Sequence, residues 1–242
     1  VFLPAGSGKK RTAVVLFHGG GFVSGSPEWT DGPARDYATH GAVALSVQYR
    51  LANRTSVTPV EQVEDARDAI RWVRNNARKF SIDPKRVIVY GVSAGGCLAT
   101  MAAVSTDAAA RPDALVLWSP GLGAVGSDPW VKSLLLDRVP ESVVSPYEQV
   151  RKPMPPMIII SGVEDVVTSD RGARKYCARV SESGGRCELH SYEKLGHLLT
   201  RKLERRAQLQ GDFDYDPVAT SDAENKTWSF LRSLGYFPRA RE

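Results

Sequence analysis

A serine hydroxyl attacks a carbonyl carbon only when a base removes its proton and N–H donors neutralise the oxyanion that forms. The sequence holds a candidate for each task. The nucleophile candidate is Ser93 in Gly91-Val92-Ser93-Ala94-Gly95. In such a pattern the serine stands on a sharp strand-to-helix turn, and the flanking glycines let the two elements pass closely. The context agrees: 86–90 reads as a strand, and 94–104 as a small-residue helix. His18-Gly19-Gly20-Gly21 follows a second apolar run, 13–17. Its glycines can aim backbone N–H groups at one point, so Gly20 and Gly21, with Ala94 after the serine, are the candidate oxyanion donors. A phosphate-cradling loop would continue into Gly-Lys-Ser/Thr or open a helix with Gly-x-Gly-x-x-Gly, and neither follows here.

Four histidines compete for the role of base. His18 opens the glycine loop and is placed to brace it. His40 precedes a strand at a helix end, and His190 lies inside the run 186–192. His197 follows Leu195-Gly196 after that run, where side chains reach the strand ends, and is the candidate base. The acid that orients it should follow the preceding strand, 157–160. Asp165 in Ser161-Gly162-Val163-Glu164-Asp165 is the candidate, with Glu164 beside it and Asp170 as a helix-capping alternative. The order Ser93, Asp165, His197 differs from the orders used by chymotrypsin-like and subtilisin-like enzymes. Phe22 and Trp29, just past the glycine loop, and Trp130, further on, are candidate substrate walls or packing residues.

These groups need a scaffold, and the pattern of apolar residues supplies one. Strands are expected at 13–17, 42–49, 86–90, 114–118, 157–160 and 186–192, and helices at 59–80, 94–104, 169–181 and 223–234. Alternating strands and helices predict an α/β domain over 1–242: a mostly parallel central sheet with helices on both faces. The stretch 121–156 carries Pro129, Pro140, Pro146, Pro153, Pro155 and Pro156, and predicts a small cap insertion over the strand ends. Residues 208–222 are expected to be irregular. The chain opens at Val1-Phe2-Leu3-Pro4 like the tail of a strand, so further strands are expected upstream.

The bulk properties exclude other classes. The net charge of +5 is modest for this length, Arg and Lys alternate with Asp and Glu on helical stretches as on solvated faces, and no aromatic-interleaved basic patch for nucleic acid is present. No apolar run approaches the roughly 20 residues that span a bilayer. Of the three cysteines, Cys97 is expected to pack as an inert hydrophobe. Cys177 and Cys187 flank a turn and fit either a disulfide or two free thiols. No metal site is expected, and the sequence assigns neither a compartment nor an oligomeric state.

Taken together, the chain resembles the esterases related to hormone-sensitive lipase, and the smaller acetyl-esterase and feruloyl-esterase-like branch beside them. The resemblance rests on His18-Gly19-Gly20-Gly21, Tyr49-Arg50-Leu51, Asp83-Pro84, Gly91-Val92-Ser93-Ala94-Gly95-Gly96, Gly162-x-x-Asp165 and Gly196-His197, and covers nearly the whole chain. It implies the α/β-hydrolase fold and cofactor-free hydrolysis of carboxylic esters with short acyl chains. It also implies Gly20, Gly21 and Ala94 as the oxyanion hole. Val92 stands where larger relatives often carry Asp, and only 17 residues precede the glycine loop, which favours the smaller branch. The expected substrate is a small-molecule or carbohydrate ester, acetyl above all. A peptidase or acyl transferase with the same triad, and a ligand-binding relative without catalysis, are the alternatives.

Overall fold

The computed structural model describes residues 1–6, 10–53, 55–123 and 128–238. Within them six strands form one parallel sheet: β1 (Arg11–Phe17), β2 (Val43–Val47), β3 (Ile82–Val92), β4 (Ala114–Trp118), β5 (Met157–Gly162) and β6 (Cys187–Tyr192). They lie in the order β2-β1-β3-β4-β5-β6. In the four central strands the stretches 13–17, 87–91, 114–118 and 157–160 are buried and almost wholly apolar because helices cover both faces. Val15, Val89, Leu117 and Ile159 face α2 (Pro59–Asn75), α3 (Ala94–Ala103) and α5 (Asp170–Glu182). Leu16, Ile88, Val116 and Ile158 face α1 (Asp31–Thr39) and α7 (Pro217–Ser233).

The sheet order matters for function. The chain leaves β1 over one face through α1 to reach β2, then returns over the other face through α2 to reach β3. The direction of winding therefore reverses between β1 and β3, which are paired with Phe17 opposite Gly91. In open parallel sheets such a reversal leaves a crevice beyond the carboxyl ends of the strands. His18 and Ser93 both emerge into it.

Several boundaries differ from expectation. Helix α2 stops at Asn75, and 76–81 turns so that Ile82 can pair with Arg11, which lengthens β3 at its start. Helix α7 begins at Pro217 instead of 223, because Asp216 accepts hydrogen bonds from the Val218 and Ala219 N–H groups and caps it. A short helix, α6 (Arg205–Gln210), enters the stretch expected to be irregular. The proline-rich connection contains α4 (Pro129–Leu134) and a 3-10 turn at Glu141–Val144. Phe2 exchanges backbone hydrogen bonds with Ala44 of β2, antiparallel, at 2.8 and 3.0 Å. Cys177 of α5 and Cys187 of β6 form a disulfide, with Cα atoms 5.4 Å apart, while Cys97 is a buried free thiol. Among the described residues no helix is long and apolar enough to cross a membrane.

Candidate functional site

Ser93 has φ 53° and ψ −117°, a backbone conformation that side-chain-bearing residues rarely adopt. Its surroundings enforce it. The Ser93 N–H donates to Trp118 O at 2.9 Å, tying the turn to β4, and its carbonyl accepts from Gly96 and Gly121. Gly95 is needed for close approach: a Cβ there would lie 2.3 Å from Phe17 O and 2.4 Å from His18 O. The start of α3 is thus pressed against the end of β1.

His197 and Asp165 complete a relay with Ser93. The His197 Nε2 lies 3.0 Å from Ser93 Oγ, and its Nδ1 lies 2.7 Å from Asp165 Oδ2. All three side chains are buried: Ser93 is 8%, His197 3% and Asp165 6% exposed, so the pair of hydrogen bonds is shielded from bulk water. With Nδ1 facing a carboxylate, the proton of a neutral imidazole sits on Nδ1 and Nε2 is free to accept one from Ser93. Asp165 is itself held. Its Oδ1 accepts from Val167 N at 2.8 Å and Thr168 N at 2.7 Å, and its Oδ2 from Thr168 Oγ1 at 2.9 Å. The alternative acids do not reach the histidine: Glu164 is exposed, and buried Asp170 binds Arg174 and Ser191.

The glycine loop lies against Ser93, with a hypothetical Cβ on Gly19 only 3.2 Å from Ser93 Cβ. Each of its carbonyls is occupied. Tyr49 Oη donates to His18 O and Gly19 O at 2.9 and 3.2 Å. Ser24 N and Oγ donate to Gly20 O, both at 3.0 Å. Trp130 Nε1 donates to Gly21 O at 3.0 Å, and Gln62 Nε2 to Phe22 O at 2.7 Å. With the carbonyls drawn outward, the N–H groups of Gly20 and Gly21, like that of Ala94, meet no acceptor among the described residues. Gly20 (φ 111°) and Gly21 (φ 57°) adopt positive φ to achieve this. His18 is fully buried, stacks on Tyr49 at 4.3 Å and approaches Gly19 O through Nδ1 at 2.7 Å. Burial pushes its pKa down, against smaller opposing effects of Gly19 O and Glu28.

A cavity of about 90 Å³ opens beside Ser93, walled by Phe22, Cys97, Trp130, Val144 and Thr168. Two of the expected walls, Phe22 and Trp130, therefore meet here. Trp29 does not: the 3-10 turn Pro27–Thr30 carries it outward, 62% exposed, with its ring edge-on to His18. Burial pushes the Cys97 thiol up to about 12, so it stays a neutral wall and not a second nucleophile. Val144 also lines a second cavity of about 250 Å³, where Val63, Met101 and Val104 meet Glu64, Arg67 and Arg151.

Sequence reasoning missed Thr168, which touches Ser119 O, Asp165 and His197 Nδ1 at once. Its place three residues after the acid is the spacing of a local side-chain turn and was the available signal. His40, tilted against Trp228, and His190, within β6, stand away from this relay.

The family model for the alpha/beta hydrolase fold matches residues 14–133. Among curated relatives, Esterase LipI of Mycobacterium tuberculosis is 38% identical over 110 residues, covering 44% of this chain and 34% of that protein. Carboxylesterase patB of Penicillium expansum is 29% identical over 185 residues, covering 68% of this chain and 33% of that protein. The chain thus spans about a third of the length of the curated relatives it matches. Among solved structures, the apo form of Thermogutta terrifontis esterase 2 superposes with a TM-score of 0.84 at 28% identity, over 98% of this chain and 90% of that one. The native form of the same species' esterase gives 0.82 at 29% identity, over 100% and 89%. By sheet order, by the Ser93 turn and by these likenesses, the chain has the α/β-hydrolase fold and is similar to esterases that share it.

Proposed function

We propose that the chain is a serine carboxylesterase for short acyl groups, acetyl first, carried on a small alcohol or a sugar. The observation that carries this is the buried relay Asp165–His197–Ser93, beside a glycine loop and a helix start whose three N–H groups meet no acceptor among the described residues. In this reading Ser93 Oγ attacks the acyl carbon while His197 Nε2 takes its proton. The N–H groups of Gly20, Gly21 and Ala94 receive the oxyanion. Collapse returns the proton to the departing alcohol and leaves an acyl ester on Ser93. Water, deprotonated by His197, then releases the carboxylic acid.

The size of the acyl site supports a short chain. Phe22, Cys97, Trp130 and Val144 line the cavity beside Ser93, whose volume of about 90 Å³ is small. Thermogutta terrifontis esterase 2 has been solved with propionate and with butyrate bound, and phosphonylated by sarin. Short carboxylates and a serine-directed reagent on that protein favour the same chemistry here. Residues 121–123 and 128–156 serve as the small cap in this scheme, 124–127 lying outside the described residues, with Trp130 hydrogen-bonded to the oxyanion loop.

The test is acid release from nitrophenyl acetate, butyrate and octanoate, and from acetylated xylan, with a nitroanilide as the amide control. Ser93→Ala should lower kcat/KM on the acetate by about 10⁴-fold or more. Retention within about tenfold would refute the nucleophile assignment, and faster nitroanilide cleavage would turn the reading to a peptidase.

A further inference from the structure

The base and the acid stand on different loops, after β6 and after β5, and besides Thr168 a further side chain joins them. Gln208, at the end of α6, is 2% exposed. Its Oε1 accepts from the backbone N–H of His197 at 3.0 Å and from that of Val166, next to Asp165, at 3.2 Å. Its Nε2 donates to Glu164 O at 3.2 Å and to Leu203 O at 3.1 Å. Two N–H donors on one side and two carbonyls on the other fix which end of the amide is which. All of its principal hydrogen-bonding capacity is used, on the residues either side of the acid and on the base itself. Gly196 leaves room for it: a Cβ there would sit 2.6 Å from the Gln208 amide carbon.

We infer that Gln208 is a positioning residue that sets the separation of Asp165 and His197, and through it the reach of Nε2 to Ser93. This rests on the proposed role of the three residues. An amide is required because the site needs two acceptor lone pairs and two donor hydrogens back to back. A methionine of similar size fills the volume with neither. A glutamate keeps the acceptor side but faces the two carbonyls with a second oxygen, tolerable only while it carries a proton.

Three variants test it: Gln208→Ala, Gln208→Met and Gln208→Glu, against nitrophenyl acetate. Gln208→Met should lower kcat about 10²-fold with KM within threefold, since a displacement of the order of 1 Å in the machinery has that cost. Gln208→Glu should lose activity relative to the parent at the same pH as the introduced carboxyl ionises. Thermal melts at each pH keep unfolding out of the comparison, and Gln208→Glu at low pH serves if the other two fail to fold. A purely structural side chain would lower the melting temperature yet leave kcat and the shape of the pH profile unchanged, and that result overturns the inference. The far-downfield proton NMR signal of the Asp165–His197 hydrogen bond needs no turnover. Its weakening in Gln208→Met supports the inference even where the parent hydrolyses no ester, a result that would instead sink the functional proposal. An unchanged signal counts against Gln208 alone.

Discussion

Replacing Gly95 by alanine sets two effects against each other. Gly95 lies in the first turn of α3, and an alanine in a helix is favoured over glycine by up to about 1 kcal/mol. The added methyl, however, falls 2.3 Å from Phe17 O and 2.4 Å from His18 O, about 1 Å inside ordinary contact. Phe17 cannot yield readily, because it is paired in the sheet with Val47 on one side and Gly91 on the other. The His18 carbonyl is held by a single hydroxyl, Tyr49 Oη. Relief therefore goes into His18–Gly19, and hence into the loop that presents Gly20 and Gly21 to Ser93. Overpacking of this kind costs about 1–3 kcal/mol, so the net loss of stability is about 2 kcal/mol or less. For a chain of this size that lowers the melting temperature by at most roughly 8 °C. If Gly20 and Gly21 are the oxyanion donors, as proposed, a shift of about 1 Å in them should lower kcat/KM about 10²-fold, well beyond what the change in stability explains. The assay pairs kcat/KM on nitrophenyl acetate with a thermal melt. Gly32→Ala is the control: Gly32 lies in α1 with nothing within 4 Å of its missing Cβ, so that variant should melt slightly higher at full activity. If Gly95→Ala also melts higher and keeps kcat/KM within threefold, the account of the α3–β1 contact is wrong.

Other perturbations separate the remaining elements. Burial holds the His18 pKa below its ordinary value of 6.5, so the folded state binds fewer protons than the unfolded chain. Its contribution to stability is complete above that value and is lost as pH falls below it; the melting temperature of His18→Gln should decline less steeply than that of the parent between about pH 7 and 5. Equal slopes would remove His18 from the account. Val144 lines both the cavity beside Ser93 and the second one, so Val144→Gly should raise the octanoate-to-acetate ratio of kcat/KM at least about tenfold, at roughly fourfold per buried methylene. An unchanged ratio would show that Val144 does not limit the acyl site. Reducing the Cys177–Cys187 bond, which closes a short loop with a sequence separation of 10, should cost about 3 kcal/mol or less. Since Cys187 lies at the opposite end of β6 from His197, kcat at temperatures below melting should not change, and a parallel loss of activity would contradict this.

What the sequence made legible follows from how far apart the interacting groups lie along the chain. The Ser93 turn and the His18-Gly19-Gly20-Gly21 loop are local: residue type, strand and helix adjoin within a dozen positions. Asp165 and His197 were reachable because each follows a strand and the order of strands is itself periodic. Gln208 was not, since its partners on the acid and base loops lie 11, 42 and 44 residues away and only the docking of α6 brings them together. Trp29 shows the converse. Proximity in sequence to the glycine loop suggested a wall, but the turn opened by Pro27 rotates it outward. The start of α7 was present in the sequence as Asp216-Pro217, a cap followed by a first-turn proline, yet hydrophobic periodicity alone begins only later, near Ala223. The disulfide could not be decided from spacing, because a turn of that length accommodates bonded and free thiols equally.

The separation of the relay along the chain has a consequence for biosynthesis. Ser93 and His197 are 104 residues apart, and Gln208 lies later still. A chain emerging from its amino end can complete β1, β2, β3 and the strained Ser93 turn while the acid and the base are still unmade. Such an intermediate presents the glycine loop and an unactivated hydroxyl, and nothing to hydrolyse an ester with. Contacts of long sequence separation also form late in refolding, since loop closure must precede them. Return of ester hydrolysis after dilution from denaturant therefore reports the docking of β6 and α6 onto an otherwise assembled sheet, and lags any signal from the central strands.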